Sequence, residues 1–87
     1  MHYVYVLHSK KDNNLYVGCA GNLKRRLREH NSGKVYSTRK RVPLEIIYYE
    51  GFIDKSDAFS REEWLKCGWG RQHMQKMLSN TLKSLGG

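Results

Sequence analysis

Eighty-seven residues, 39% of them hydrophobic and 28% charged, make one ordinary globular domain, too apolar to be disordered and too short to bury charges cheaply. Sixteen lysines and arginines against eight acids leave a net charge of +8, which points to a polyanionic partner and away from an acidic ligand-binding surface. No apolar run approaches the ~20 residues of a membrane span and the start of the chain lacks a signal-peptide layout, so no membrane association and a cytoplasmic location are expected.

The chain order suggests a small α/β fold. Tyr3 to Leu7 and Leu15 to Val17 are β-branched and aromatic, and the polar cluster Lys10-Lys11-Asp12-Asn13-Asn14 between them reads as the turn of a hairpin. Asn22 is placed to cap a first helix, which Asn31-Ser32-Gly33 would stop. Lys34 to Pro43 reads as a basic loop. Leu44 to Phe52 is a third strand, apolar on both faces at Ile46-Ile47-Tyr48-Tyr49, as a covered central strand would be. Asp54 or Ser56 caps a second helix that ends near Cys67-Gly68. After a break at Gly68 to Gly70, Met74, Met77, Leu78, Leu82 and Leu85 recur at helical spacing and predict one last helix. The expected order is β-β-α-β-α-α, with helices flanking a three-stranded, mainly antiparallel sheet. A single domain over residues 1–85 and a frayed tail at Gly86-Gly87 complete the expectation.

Charge is concentrated, not dispersed. Half of the sixteen cations lie between Lys24 and Arg41, opposed there only by Glu29. Lys24, Lys34, Arg39, Lys40 and Arg41 are therefore the candidate contacts to a nucleic-acid backbone, with a plain solubilising surface as the bland alternative. Cys19 and Cys67 are too few for a zinc site, and two free thiols suit a reducing compartment.

On the first helix, Leu23, Arg26, Leu27 and His30 fall within about 100° of one another. Arg26 and His30 thus border the buried face, where an arginine needs a partner or a bound anion. On the second helix Glu62 sits among Ala58, Phe59 and Leu65, while Glu63 lies at the edge of that face. A carboxylate so placed is either in a salt bridge, to Arg26 or Arg61, or holds a metal. Tyr5 and Tyr16, taken alone, are strand residues that pack a core. What raises them is the company of Arg26, His30 and Glu62 on neighbouring elements.

These residues also carry a resemblance. Tyr3-Val4-Tyr5, the block from Tyr16-Val17-Gly18 through Arg26 and His30 to Gly33, and the helix Ala58–Lys66 around Glu62 resemble the GIY-YIG nuclease domains. The similarity is to the single-domain bacterial type related to the N-terminal catalytic part of the excinuclease C subunit. Tyr3 stands where the first motif has glycine, and Cys19 stands where some members have a lysine. The resemblance implies an endonuclease that hydrolyses DNA phosphodiesters, selective for structure over sequence, with a role in DNA repair or recombination. It implies Mg²⁺ or Mn²⁺ on Glu62 and Tyr16 as general base, with Tyr5, Arg26 and His30 assisting. Asn80 on the last helix is the candidate for a further assisting polar residue. DNA, branched or single-stranded, is the implied partner, and RNA is left open. The same residues leave open a module of this fold that grips nucleic acid without cleaving it, or a scaffold in which they form only a buried polar network.

Overall fold

The computed structural model of the chain describes residues 1–86; Gly87, the end of the expected tail, lies outside the described residues, and Gly86 closes the last helix. Strands β1 (His2–Ser9) and β2 (Leu15–Ala20) form the expected antiparallel hairpin, with Leu7 opposite Tyr16 and Tyr5 opposite Gly18. Strand β3 (Leu44–Phe52) pairs antiparallel with the other side of β1, so the order is β2-β1-β3 and the sheet is wholly antiparallel. The expected central position of β3 is therefore corrected: β1 is central and β3 is an edge. Val4 to Ser9 is buried without interruption, whereas Tyr49 and Gly51 of β3 are exposed. The polar His8 and Ser9 disguised this in the sequence. Ser9 Oγ donates to the Arg41 carbonyl (2.6 Å), and His8 bonds Asn13 Oδ1 through Nε2 (2.6 Å) while its Nδ1 faces the Glu45 carboxylate at 3.4 Å, which offsets part of their burial.

Helix α1 (Leu23–Asn31) starts where Asn22 Oδ1 accepts from the Arg25 amide at 3.0 Å. Its last residue, Asn31, bonds both backbone groups of Leu44: Leu44 N–H donates to Oδ1 at 2.7 Å and Nδ2 donates to the Leu44 carbonyl at 2.9 Å. Helix α2 (Lys55–Lys66) is capped by Asp54, which accepts from the Ser56 and Asp57 amides. The expected break at Gly68 to Gly70 is instead the first turn of α3 (Gly68–Met77). A Cβ at Gly70 would overlap the Trp64 carbonyl, so glycine is there for a close approach of α3 to the end of α2. The single last helix is also two. The chain turns at the buried Leu78 and continues as α4 (Ser79–Gly86), giving the order β-β-α-β-α-α-α.

Period-two alternation divides the core between the sheet's faces. On one, Val4, Val6 and Val17 pack with Ala58, Leu65, Met74 and Leu78, under α2 and α3. On the other, Tyr5, Leu7 and Leu44 pack with Tyr16, Leu23 and Leu27, under α1. Among the described residues no helix is long and apolar enough to cross a membrane.

Candidate active site

Tyr5, Tyr16, Arg26 and His30 all lie on the α1 face of the sheet. Tyr5 is buried, and its Oη shares a hydrogen bond of 2.9 Å with Nε2 of the fully buried His30. The other ring nitrogen of His30 bonds Thr38 Oγ1 at 2.6 Å. The histidine is thus clamped between a strand and the basic loop. Burial, reinforced by the nearby Arg26 cation, lowers its pKa to about 4, so it is neutral at physiological pH. Full burial also keeps the His30 ring from touching a substrate directly.

Burial is likewise the main influence on Tyr5 and raises its pKa; Arg26 opposes this, while Tyr16 and Glu62 add to it. The aligned hydrogen bond of Arg26 goes to Glu29 at 3.1 Å, so towards Tyr5 it acts as a neighbouring cation. Tyr16 is only half-buried. Its ring meets the His30 ring edge-on at 5.4 Å between centroids, and its Oη accepts from Ser37 Oγ at 3.3 Å. The two phenols therefore differ: Tyr5 is enclosed and held neutral, whereas Tyr16 opens to solvent.

Glu62 comes from the opposite face. Helix α2 packs on the other side of the sheet, yet the Glu62 carboxylate acts on both Tyr5 and Cys19. β2 is an edge strand, and its residue 18 is glycine. A Cβ at Gly18 would overlap the Tyr5 hydroxyl and ring, so the phenol lies directly over the Gly18 backbone. Glu62 is flanked by the fully buried Ala58 and Leu65 and keeps 17% of its side chain exposed. Phe59 does not share that stripe; it is exposed. The bridges weighed for Glu62 do not form. Its partner is Lys66, one turn on at 3.0 Å, and Arg61 pairs with Glu50 at 2.8 Å.

Two hollows flank Gly18 along this edge. One, of about 580 Å³, is lined by Tyr16, Arg41, Lys66 and Arg71 among others; the other, of about 210 Å³, by Cys19, Asn22, Arg25, Arg26 and Glu29. Lys66 and Arg71 escaped the sequence reading because they lie outside the basic segment and join it only when α3 folds back. Thr38 and Ser37, which bolt the loop to His30 and Tyr16, carry no periodic signal. Arg41 is largely committed to structure: Nε donates to Asp12 at 2.8 Å. Lys34, Arg39 and Lys40 are exposed. Lys24 is set apart, lining a hollow with Tyr3, Leu27 and Tyr49. Asn80 is exposed on α4, where its backbone carbonyl accepts from Ser84 Oγ, and among the described residues no hydrogen bond joins its side chain to the tyrosines. Burial, helped by the Glu62 charge, pushes the Cys19 thiol up, so it supplies neither a cation nor a base where some GIY-YIG domains have lysine.

Among the described residues there is no cluster of three or more His, Cys, Asp or Glu able to cage a metal. A metal held by Glu62, as the resemblance implies, would have that one carboxylate as its protein donor set. That set suits a hard cation that keeps several waters and takes its remaining ligands from substrate phosphate; it does not suit zinc.

Comparison with known proteins gives the family. Residues 1–76 match the family model of the GIY-YIG catalytic domain. A UPF0213 protein of Clostridium perfringens is 39% identical over 84 residues, covering 95% of this chain and 89% of its own. A UPF0213 protein of Haloquadratum walsbyi is 38% identical over 77 residues, covering 87% and 84%. The solution structure of a UPF0213 protein from Bacillus halodurans superposes with a TM-score of 0.54 at 30% identity, over 87% of this chain and 83% of that one. The motif tyrosines, the arginine of α1 and the glutamate of α2 thus stand in a chain that belongs to the GIY-YIG nuclease family.

Proposed function

We propose that the protein is a divalent-cation-dependent endonuclease that hydrolyses DNA phosphodiesters, choosing substrates by structure and not by sequence, with its work in DNA repair or recombination. The observation that carries this reading is the Tyr5 phenol seated on the Gly18 backbone, with Tyr16 and Arg26 lining the cationic hollows on either side of it and the Glu62 charge felt at Tyr5. A buried scaffold would have no use for those hollows.

Tyr16 is the general base. It is the more exposed of the two tyrosines, and in the phenolate form it takes the proton of the attacking water. Tyr5, held neutral by burial, is the positioning phenol: it fixes the Tyr16 side of the edge through His30. Arg26 faces the charge that builds on the phosphate as the nucleophile adds. Glu62 would hold Mg²⁺ or Mn²⁺, with Lys66 giving way, and the ion when bound supplies Lewis-acid polarisation of a phosphate oxygen. Lys34, Arg39, Lys40, Lys66 and Arg71 hold backbone phosphates without reading bases.

The test is a panel of end-labelled single-stranded, duplex, flap and nicked DNAs, incubated with Mg²⁺, Mn²⁺ or chelator. Metal-dependent internal cleavage of at least one structure is expected. Salt-sensitive binding with no cleavage in any metal would instead make the chain a binding module of the same fold.

A further inference from the structure

The basic loop carries a feature that phosphate binding does not use. Tyr36 is 80% exposed, in a domain that buries Tyr5 almost completely. The Arg39 guanidinium covers one face of its ring at 4.5 Å from the centroid, leaving the other face to solvent. Tyr36 is not adrift, because the next two residues are fastened to the active site: Ser37 donates to Tyr16 Oη and Thr38 bonds the buried His30. Val35, on its other side, is buried. The ring is thus an open aromatic plate backed by a cation, on a loop whose next two residues are fastened to His30 and the candidate base, and it lies in sequence among Lys34, Arg39 and Lys40.

We propose that the Tyr36–Arg39 pair is a stacking platform for one unpaired nucleobase next to the phosphodiester at Tyr16. This rests on the nucleic-acid reading above and narrows it to substrates with an unpaired base at that position. The chemistry follows from the arrangement. Every base has a π-face, so an open tyrosine face takes any of them, while a paired base within a duplex has both faces already occupied by its neighbours. Arg39 behind the ring holds its orientation and adds its charge to the stack. A tyrosine kept only for solubility would need neither the cation behind it nor the double anchorage beside it. The ligand class is the unpaired nucleobase, of DNA or of RNA, since stacking does not consult the 2′-hydroxyl.

Binding is measured by fluorescence anisotropy in chelator, so the result does not depend on cleavage, using wild-type protein, Tyr36→Ala and Tyr36→Trp. The probes are a single-stranded DNA, the RNA of the same sequence, a blunt duplex, and the DNA carrying one abasic site scanned along it. Tyr36→Ala should weaken single-stranded binding by about 5- to 100-fold on DNA and RNA alike. Blunt-duplex binding and the thermal midpoint should stay unchanged, because the ring supports no core. Tyr36→Trp should retain single-stranded affinity. At one abasic position wild type and Tyr36→Ala should bind equally, as expected when the two losses are the same contact. Equal loss on duplex and single strand, loss confined to DNA or to RNA, or full affinity of Tyr36→Ala would each overturn the platform. A protein that passes these tests but cuts nothing in the metal panel would keep the platform and lose the nuclease assignment.

Discussion

The clamped histidine makes stability depend on pH in a defined direction. His30 has an ordinary pKa of 6.5 when exposed and about 4 in the folded chain. Between those values the unfolded chain binds a proton that the native one refuses, so stability rises with pH across the window. The contribution is fully present above about 6.5 and is lost as pH falls towards 4. At 1.36 kcal/mol per unit, the difference amounts to about 3 kcal/mol. A domain of this length has roughly 4–13 kcal/mol in total, so one residue governs a large share of its acid tolerance. Urea denaturation of wild type and His30→Gln at half-unit steps from pH 4 to 7 measures it. Glutamine retains a donor and an acceptor for Tyr5 and Thr38 but cannot titrate, so the wild-type curve should fall by about 3 kcal/mol more than the variant's. Carboxylate pairs such as Arg61–Glu50 weaken in both proteins and cancel in the comparison. NMR titration of the His30 ring gives the midpoint directly. Parallel pH curves for the two proteins, or a His30 midpoint near 6.5, would refute the burial argument.

Three further outcomes are expected. Tyr16→Phe should lower turnover by roughly 10²–10⁴ with little change in thermal midpoint, measured by single-turnover cleavage and calorimetry; Tyr5→Phe should cost less activity but about 1–3 kcal/mol of stability, because it strips a buried partner from His30. Glu62→Gln should abolish metal-stimulated cleavage while sparing DNA binding and Glu63→Gln should be nearly silent, and a metal-responsive Glu62→Gln enzyme with ordinary turnover rules out the ligand assignment. Gly18→Ala drives a methyl group into the Tyr5 phenol and should cost about 2–5 kcal/mol, from overpacking together with the strained Tyr5–His30 bond; the thermal midpoint should drop by at least about 10 °C, with part of the loss recovered when Tyr5→Leu is added.

The elements were legible in the sequence wherever the cause was local. Asn22 and Asp54 are caps because their side chains reach amides two or three residues on, and the hairpin follows from a polar cluster between two aromatic runs. Strand order was not legible, because apolar faces on β3 report packing on both sides without saying which strand lies between the other two. The Gly68–Gly70 segment reads as a break by propensity, yet tertiary contact with Trp64 makes it a helix start. At the site, helical spacing correctly set Arg26 and His30 on one face. It could not show that Glu62 approaches from behind the sheet, since a helical wheel locates a side chain on its own helix and not across a strand. Thr38 was invisible for a related reason: its partner lies eight residues away, across a loop of no regular period.

The division of the site between two separate cores has a consequence for how such a protein can vary. Tyr5 and Tyr16 share the core under α1, which carries Arg26; α2, which carries Glu62, packs with α3 on the other core, and the sheet lies between them. Substitutions at Leu65 or Met74 would shift the carboxylate while leaving the Tyr5–His30–Thr38 clamp in place; substitutions at Leu23 or Leu27 would do the reverse. The two halves behave like the jaws of a vice on independent mounts, whose alignment is adjustable from either side. Productive geometry tolerates errors of only about 0.5 Å, so small repacking in one layer is enough to tune or silence the chemistry without unfolding the other.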